Sequence, residues 1–185
     1  MAVPDRSTAR RLLAADHAPE WLVIHSEGVA RVAAEAARAL AARGVDVDPD
    51  LVEAAGRLHD LDKRETHENG RHGLLAAERL VALGHEELAD AVASHPLGCL
   101  LDPERAPRSW AAICVSVADR RVGLAFMTTA GRLADMAQRH PAYADRIMAA
   151  AAPADALEAR LAKAAGLSRR ALEARLRSAW SEVDR

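Results

Sequence analysis

The sequence is poor in aromatic residues, and this shortage narrows the possible folds. Aromatic residues make up 3% of the 185 residues, whereas half of the residues are hydrophobic and alanine dominates that half. Alanine suits closely packed helices, while sheets are usually rich in aromatic and β-branched side chains. We therefore expect an all-α protein, and the length suits one domain with an appendage.

Cysteine is also scarce, and long apolar runs are missing. Cys99 and Cys114 form no CxxC pair, so a disulfide framework and a zinc ribbon are both excluded. The first residues lack the apolar core of a signal sequence, and no uncharged apolar run approaches the length of about 18 residues that a membrane span needs. We expect a cytoplasmic protein without a membrane partner.

Lysine is the third shortage. Lys63 and Lys163 are the two lysines among 25 basic residues, and the other 23 are arginine. The formal net charge is −2, and acidic residues are interleaved among the arginines. No basic stripe is present that could neutralise a phosphate backbone, so we expect no nucleic-acid partner.

Apolar residues at spacings of three and four, separated by turn residues, predict a series of helices. The predicted helices cover residues 6–16, 19–44, 50–59, 72–83, 86–95, a stretch from Ser109, 128–139 and 143–150. Residues 64–71 and 97–108 are predicted loops beside a pocket, and His140 is predicted to end a helix. We expect a helical domain over residues 1–150 and a C-terminal helical hairpin over residues 151–185, which could support a homodimer.

The candidate functional residues collect around residues 58–63, Leu-His-Asp-Leu-Asp-Lys. His59 and Asp60 supply nitrogen and oxygen donors suited to divalent ions, although alone they could be a polar helix end. Four more candidates lie on inward helix faces or at helix ends: His25, His72, His95 and Asp119. A carboxylate at position 119 would be a buried charge, which requires either a neighbouring arginine or a metal ion.

The joint pattern resembles the HD-domain superfamily of metal-dependent phosphohydrolases. Members carry a histidine, then His-Asp, then a distant aspartate on an all-helical bundle, and the match covers roughly residues 21–122. The resemblance implies one metal ion held by four side chains: His25, His59, Asp60 and Asp119. Dinuclear members add two histidines that build a second site, with the motif's aspartate bridging, and His72 and His95 fit those positions.

Among dinuclear members, the bacterial symmetrical dinucleoside tetraphosphatases look most similar. They too carry a lysine three residues after the aspartate, matched here by Lys63. They also have a helix beginning with histidine and small residues, matched by His72 and Gly73. The chain departs from them after Asp119, where Arg-Arg-Val-Gly replaces a stretch of the Asp-Tyr-Ile-Glu-Pro type.

The chemistry expected from this resemblance is hydrolysis of a nucleotide or another small phosphate ester or anhydride. Two divalent ions roughly 3.5–4 Å apart can hold a bridging water or hydroxide as nucleophile, neutralise phosphate charge and stabilise the leaving oxygen. Iron or manganese is the expected metal, and zinc, magnesium and cobalt are possible. Asp60 and Lys63 are the predicted catalytic residues. Lys63, Arg64 and Arg121 are the predicted substrate contacts.

Other interpretations of the same residues stay open. Some superfamily members are diiron oxygenases with the same ligands, although an oxygenase would call for a more enclosed pocket than Lys63 and a basic rim indicate. A non-catalytic sensor or scaffold is a third possibility, but none of the six candidate ligands is replaced. Asp62 could orient a ligand histidine or lie on the surface.

Overall fold

The computed structural model describes residues 3–65 and 71–181. The α-helices of these residues are α1 (Arg6–Ala15), α2 (Glu20–Ala41), α3 (Pro49–Leu58), α4 (Leu74–Ala82), α5 (Ala89–Ser94), α6 (Trp110–Asp119), α7 (Thr129–Arg139), α8 (Ala144–Ala149), α9 (Ala151–Ala164) and α10 (Arg169–Ser181). Short 3₁₀ helices are formed by Glu86–Leu88, Leu97–Leu101 and Pro141–Tyr143. The described residues contain no β-strand beyond a single bridge, so the all-α prediction is confirmed.

Most helix ends follow local sequence signals. Four side chains accept a hydrogen bond from a backbone N–H of the first helical turn, as N-cap residues do: Asp5, Asp48, Ser109 and Thr128. Glycines with positive φ follow α2, α4 and α9, where their lack of a Cβ atom permits the left-handed conformation that ends a helix.

Two predicted helices differ from the structure. The helix expected over residues 72–83 begins at Leu74, because Gly73 has φ +81° and leaves His72 outside the helix. The helix expected over residues 86–95 is split into a 3₁₀ turn and α5, and the expected loop 97–108 begins with a 3₁₀ helix. Within the predicted loop 64–71, residues 66–70, including His67, lie outside the described residues.

Helix α2 is central to the packing, because it contacts α3, α6 and α10. Small residues let α2 and α3 approach closely, and a Cβ atom added to Gly56 of α3 would lie 2.8 Å from the Cα atom of Ala30. The C-terminal hairpin packs on the same bundle, with α9 against α6 and α10 against α2. None of the helices in the described ranges is long and apolar enough to cross a membrane.

The close contact between α2 and α3 gives a stability prediction. We expect Gly56→Ala to lower the free energy of unfolding by about 1–3 kcal/mol, because the new methyl group meets backbone atoms that cannot move aside. Urea unfolding followed by circular dichroism measures this change.

Gly131→Ala in α7 is the matched control. The nearest atom to its added Cβ would be the side-chain oxygen of Thr128, at 3.1 Å, which can shift. The control should stay within about 1 kcal/mol of the unmodified protein, since alanine is also the better helix former. Equal stability of both variants would contradict the close-packing account.

Candidate metal centre

The helices bring the six predicted ligands to one buried place in the bundle. They come from α2 (His25), the end of α3 (His59 and Asp60), the start of α4 (His72), the end of α5 (His95) and the end of α6 (Asp119). His59 and His95 have no exposed surface, and Asp60 is 2% exposed. The predicted convergence is therefore present, while metal binding by these residues stays a prediction.

The first group of donor atoms surrounds the Nε2 atom of His59. The Nε2 atom of His25 lies 3.3 Å from it, and Asp119 Oδ1 lies 3.7 Å from it. Asp60 Oδ2 is 3.5 Å from the same nitrogen. These spacings allow His25, His59 and Asp119 to act on a common ion, with Asp60 at its side.

The second group uses the other oxygen of Asp60. Asp60 Oδ1 lies 3.0 Å from His72 Nε2 and 3.5 Å from His95 Nε2. The two histidine nitrogens are 3.2 Å apart. Each oxygen of one carboxylate therefore faces its own set of imidazole nitrogens, which suits a ligand shared by two ions.

The donor chemistry fits metal ions because of how the imidazoles are oriented. The Nδ1 atoms of His59 and His95 donate to the backbone oxygens of Gly56 at 2.7 Å and Val92 at 2.6 Å. Burial lowers the pKa of His59 to about 3 and also lowers that of His95, so both rings are neutral near pH 7. Their Nε2 lone pairs therefore point into the centre, as metal-binding histidines require.

The acidic members of the centre are ionised. Burial alone would raise the pKa of Asp60, but Lys63 and the neighbouring histidines together outweigh burial and hold that pKa well below the usual range. The Nζ atom of Lys63 lies 3.2 Å from both oxygens of Asp60. For Asp119, burial is again outweighed, here by the hydrogen bond with His25 and the charge of Arg120, so its pKa is also low.

Asp62 supports the second group of donors through hydrogen bonds. This carboxylate has no exposed surface and accepts a hydrogen bond from Nδ1 of His72 at 2.8 Å. It also accepts from the backbone N–H groups of Gly73 at 2.8 Å and Ala76 at 3.1 Å. Of the two roles open for Asp62, the structure favours orientation of a ligand histidine over a surface position.

Arg120 holds the backbone around the centre in place. Its guanidinium is buried and donates to the carbonyl oxygens of His95 and Ser116, both at 2.6 Å. Its Nη1 atom also lies 3.4 Å from Oδ2 of Asp119. This is the neighbouring arginine that the sequence analysis gave as one possible partner of a buried carboxylate at position 119. Arg120 therefore connects the end of α5 with the end of α6.

Two predicted substrate contacts have hydrogen-bond or ion-pair partners within the fold. Arg64 donates to the backbone oxygens of Asp16 and His17, at 3.4 and 3.0 Å. Arg121 is 3% exposed and forms a buried ion pair with Glu158 of α9. The ion pair encloses the guanidinium of Arg121 within the fold, which speaks against its contact with a substrate. Arg64 makes both hydrogen bonds through one nitrogen, Nη1, so its contact with a substrate stays a prediction.

A cavity of about 330 Å³ lies beside the centre, and Lys63 and His72 form part of its wall. Residues that the sequence analysis missed line it as well, including Tyr143, which precedes α8, and Arg146 within α8. His140 ends α7 as predicted, but it also lines this cavity. No spacing in the sequence signals this, because the cavity forms only where residues distant in the chain, such as Lys63 and Leu97, meet in the fold.

Comparisons with known proteins agree with this geometry. A family model described as HD domain matches residues 22–122, which include all six predicted ligands. An uncharacterized protein of Methanocaldococcus jannaschii is 36% identical over 87 residues, covering 47% of this chain and 51% of the relative. The chain thus spans about half the length of that curated relative. No solved structure matches the chain.

The protonation of His72 gives a prediction about metal affinity. Burial disfavours its charged form, but hydrogen bonds to Asp60 and Asp62 outweigh burial and raise its pKa to about 9. His72 therefore carries a proton on Nε2 near pH 7, and an ion must displace that proton. We expect the affinity for the second Mn²⁺ to rise roughly tenfold per pH unit from pH 6 to 8 and to level off near pH 9.

Calorimetric titration with Mn²⁺ in buffers of different ionisation enthalpy measures both affinity and proton release. The first ion should release few protons, because His59 is already neutral and Asp60 is already ionised. Release of about one proton with the second ion should disappear in His72→Ala. Affinity of the second ion that does not change with pH would contradict the assignment of His72 as a ligand.

Proposed function

Because the chain belongs to the HD-domain superfamily, we propose that it is a metal-dependent phosphohydrolase acting on a small phosphate ester or anhydride. The observation that carries this proposal is the position of Asp60 between two sets of imidazole nitrogens. A second support is Lys63, a cation beside that carboxylate in the wall of an open cavity. Both features suit a substrate that brings negative charge to the centre.

Six residues would hold the ions. His25, His59 and Asp119 suit one ion, His72 and His95 suit the other, and Asp60 is the shared ligand. Mixed nitrogen and oxygen donors suit iron or manganese, and zinc, magnesium and cobalt are accepted by similar sets. When bound, such ions supply an activated water and neutralise the charge of the phosphoryl group.

Lys63 is the protein cation best placed to contact the phosphoryl group. Its side chain is 31% exposed, whereas its partner Asp60 is buried. Burial disfavours its charge, but Asp60 and Asp119 outweigh burial and raise the pKa of Lys63, so it remains protonated near pH 7. In this proposal Lys63 exchanges part of its contact with Asp60 for an oxygen of the substrate.

A nucleotide is the proposed substrate class, and the resemblance to symmetrical dinucleoside tetraphosphatases adds dinucleoside polyphosphates as candidates. We further propose a cytoplasmic location and a division into a metal-binding domain of residues 1–150 and an appendage of residues 151–185. The division is supported by the position of all six ligands before residue 120. A homodimer through α9 and α10 is a further part of the proposal.

The test combines metal analysis with phosphate release. We expect purified protein to contain divalent metal and to release phosphate from at least one member of a panel of nucleotides and dinucleoside polyphosphates. His59→Ala should lose activity by at least the ~10–100-fold that follows damage to residues supporting a metal site. It should also lose bound metal, measured by elemental analysis.

His17→Asn is the matched control, because His17 lies in a turn with φ 53°, a conformation that asparagine tolerates. His140→Ala is unsuitable as a control, since His140 lines the cavity. Equal metal content and activity in His59→Ala and His17→Asn would contradict the site. Substrate-dependent oxygen consumption without phosphate release would favour the oxygenase interpretation instead.

A further inference from the structure

The cavity beside the metal centre has features that the centre itself does not need. Lys63 and His72 belong to its lining, so it borders the proposed reaction site. Its remaining lining comes from the 3₁₀ helix Leu97–Leu101 and from residues 136–147, which include the end of α7 and part of α8. Residues 136–147 lie beyond the part of the chain that the HD-domain family covers.

The walls of the cavity are largely apolar. Four of its lining side chains are aliphatic or thioether groups: Leu97, Leu101, Met136 and Ile147. Its volume of about 330 Å³ is near the lower end of the roughly 300–1,000 Å³ that small-molecule sites occupy. A cavity of this size and character suits an apolar ring system.

Arg146 is the positive charge of the cavity that lies outside the metal centre. Its side chain is exposed and makes no hydrogen bond or ion pair with any residue of the ranges 3–65 and 71–181. A Cβ atom added to Gly98 would lie 3.3 Å from its Nη2 atom, so the guanidinium lies over the 3₁₀ turn. By contrast, Lys63 is already paired with Asp60.

We propose that this cavity binds the part of the substrate that is not hydrolysed, and that it takes an apolar ring bearing a second anionic group that pairs with Arg146. The inference rests on the proposed function, since the reacting phosphoryl group is placed at the metal centre. A nucleoside diphosphate has this chemistry. Its base would lie against the apolar wall, and the phosphate that is not hydrolysed would lie near Arg146. A compact phosphate ester would contact neither the apolar wall nor Arg146.

Leu101 offers a way to fill the cavity without disturbing the core, because it is 38% exposed. In Mn²⁺-loaded protein, Leu101→Trp should lower kcat/KM for AMP roughly tenfold or more through a higher KM, as changes in apolar pockets do. The kcat/KM for glycerol 2-phosphate should change less than about twofold. Leu124→Trp is the control, since Leu124 is 83% exposed and does not line the cavity.

Arg146→Ala tests the second anionic group. It should lower kcat/KM for ADP about tenfold, the effect of losing one charge-assisted hydrogen bond, and change that for AMP less than about twofold. Arg170→Ala, an exposed arginine away from the cavity, should leave both substrates unaffected. An equal loss for ADP and AMP would overturn the pairing with a second anionic group.

Calorimetric binding of AMP and ADP to the same variants separates this inference from the proposed function. Binding that is weakened by Leu101→Trp, without any phosphate release from the unmodified protein, would support the pocket and contradict the phosphohydrolase. Phosphate release that is unchanged for every substrate in both Leu101→Trp and Arg146→Ala would overturn the pocket and leave the phosphohydrolase standing. Circular dichroism of each variant confirms that it is folded.

Discussion

The structure depends on one buried carboxylate that two sets of nitrogen donors share. Asp60 is 2% exposed, and a charge so placed is very unfavourable unless partners compensate it. Lys63 contacts both of its oxygens, and His72 contacts one of them. These contacts keep the carboxylate ionised in the fold. Metal ions and a phosphate would replace part of them, which links the stability of the fold to the proposed chemistry.

The surrounding bundle serves this carboxylate through close packing and through buried hydrogen bonds. Gly56 lets α3 approach α2, and its carbonyl oxygen fixes the ring of His59. Beyond the centre, Glu158 of α9 pairs with Arg121, two residues after the candidate ligand Asp119. The C-terminal hairpin therefore contacts the bundle at a point that also positions the end of α6.

The sequence predicted the helices and the six inward residues because helical periodicity reports directly which face of a helix is buried. It could not predict the ion pair between Arg121 and Glu158, since the two residues are 37 positions apart and the chain contains many other arginines. Arg64, whose Nη1 group donates to two backbone oxygens, stays a predicted substrate contact. Arg146 was overlooked because the fold alone brings α8 beside His72.

The central claim is that Asp60 bridges two ions, and anomalous X-ray diffraction from crystals grown with Mn²⁺ tests it most directly. The account predicts two anomalous peaks roughly 3.5–4 Å apart. One peak should lie among His25, His59 and Asp119, and the other between His72 and His95, with one oxygen of Asp60 facing each. Well-ordered crystals with no anomalous peak beside Asp60, or with manganese bound only at other residues, would contradict it.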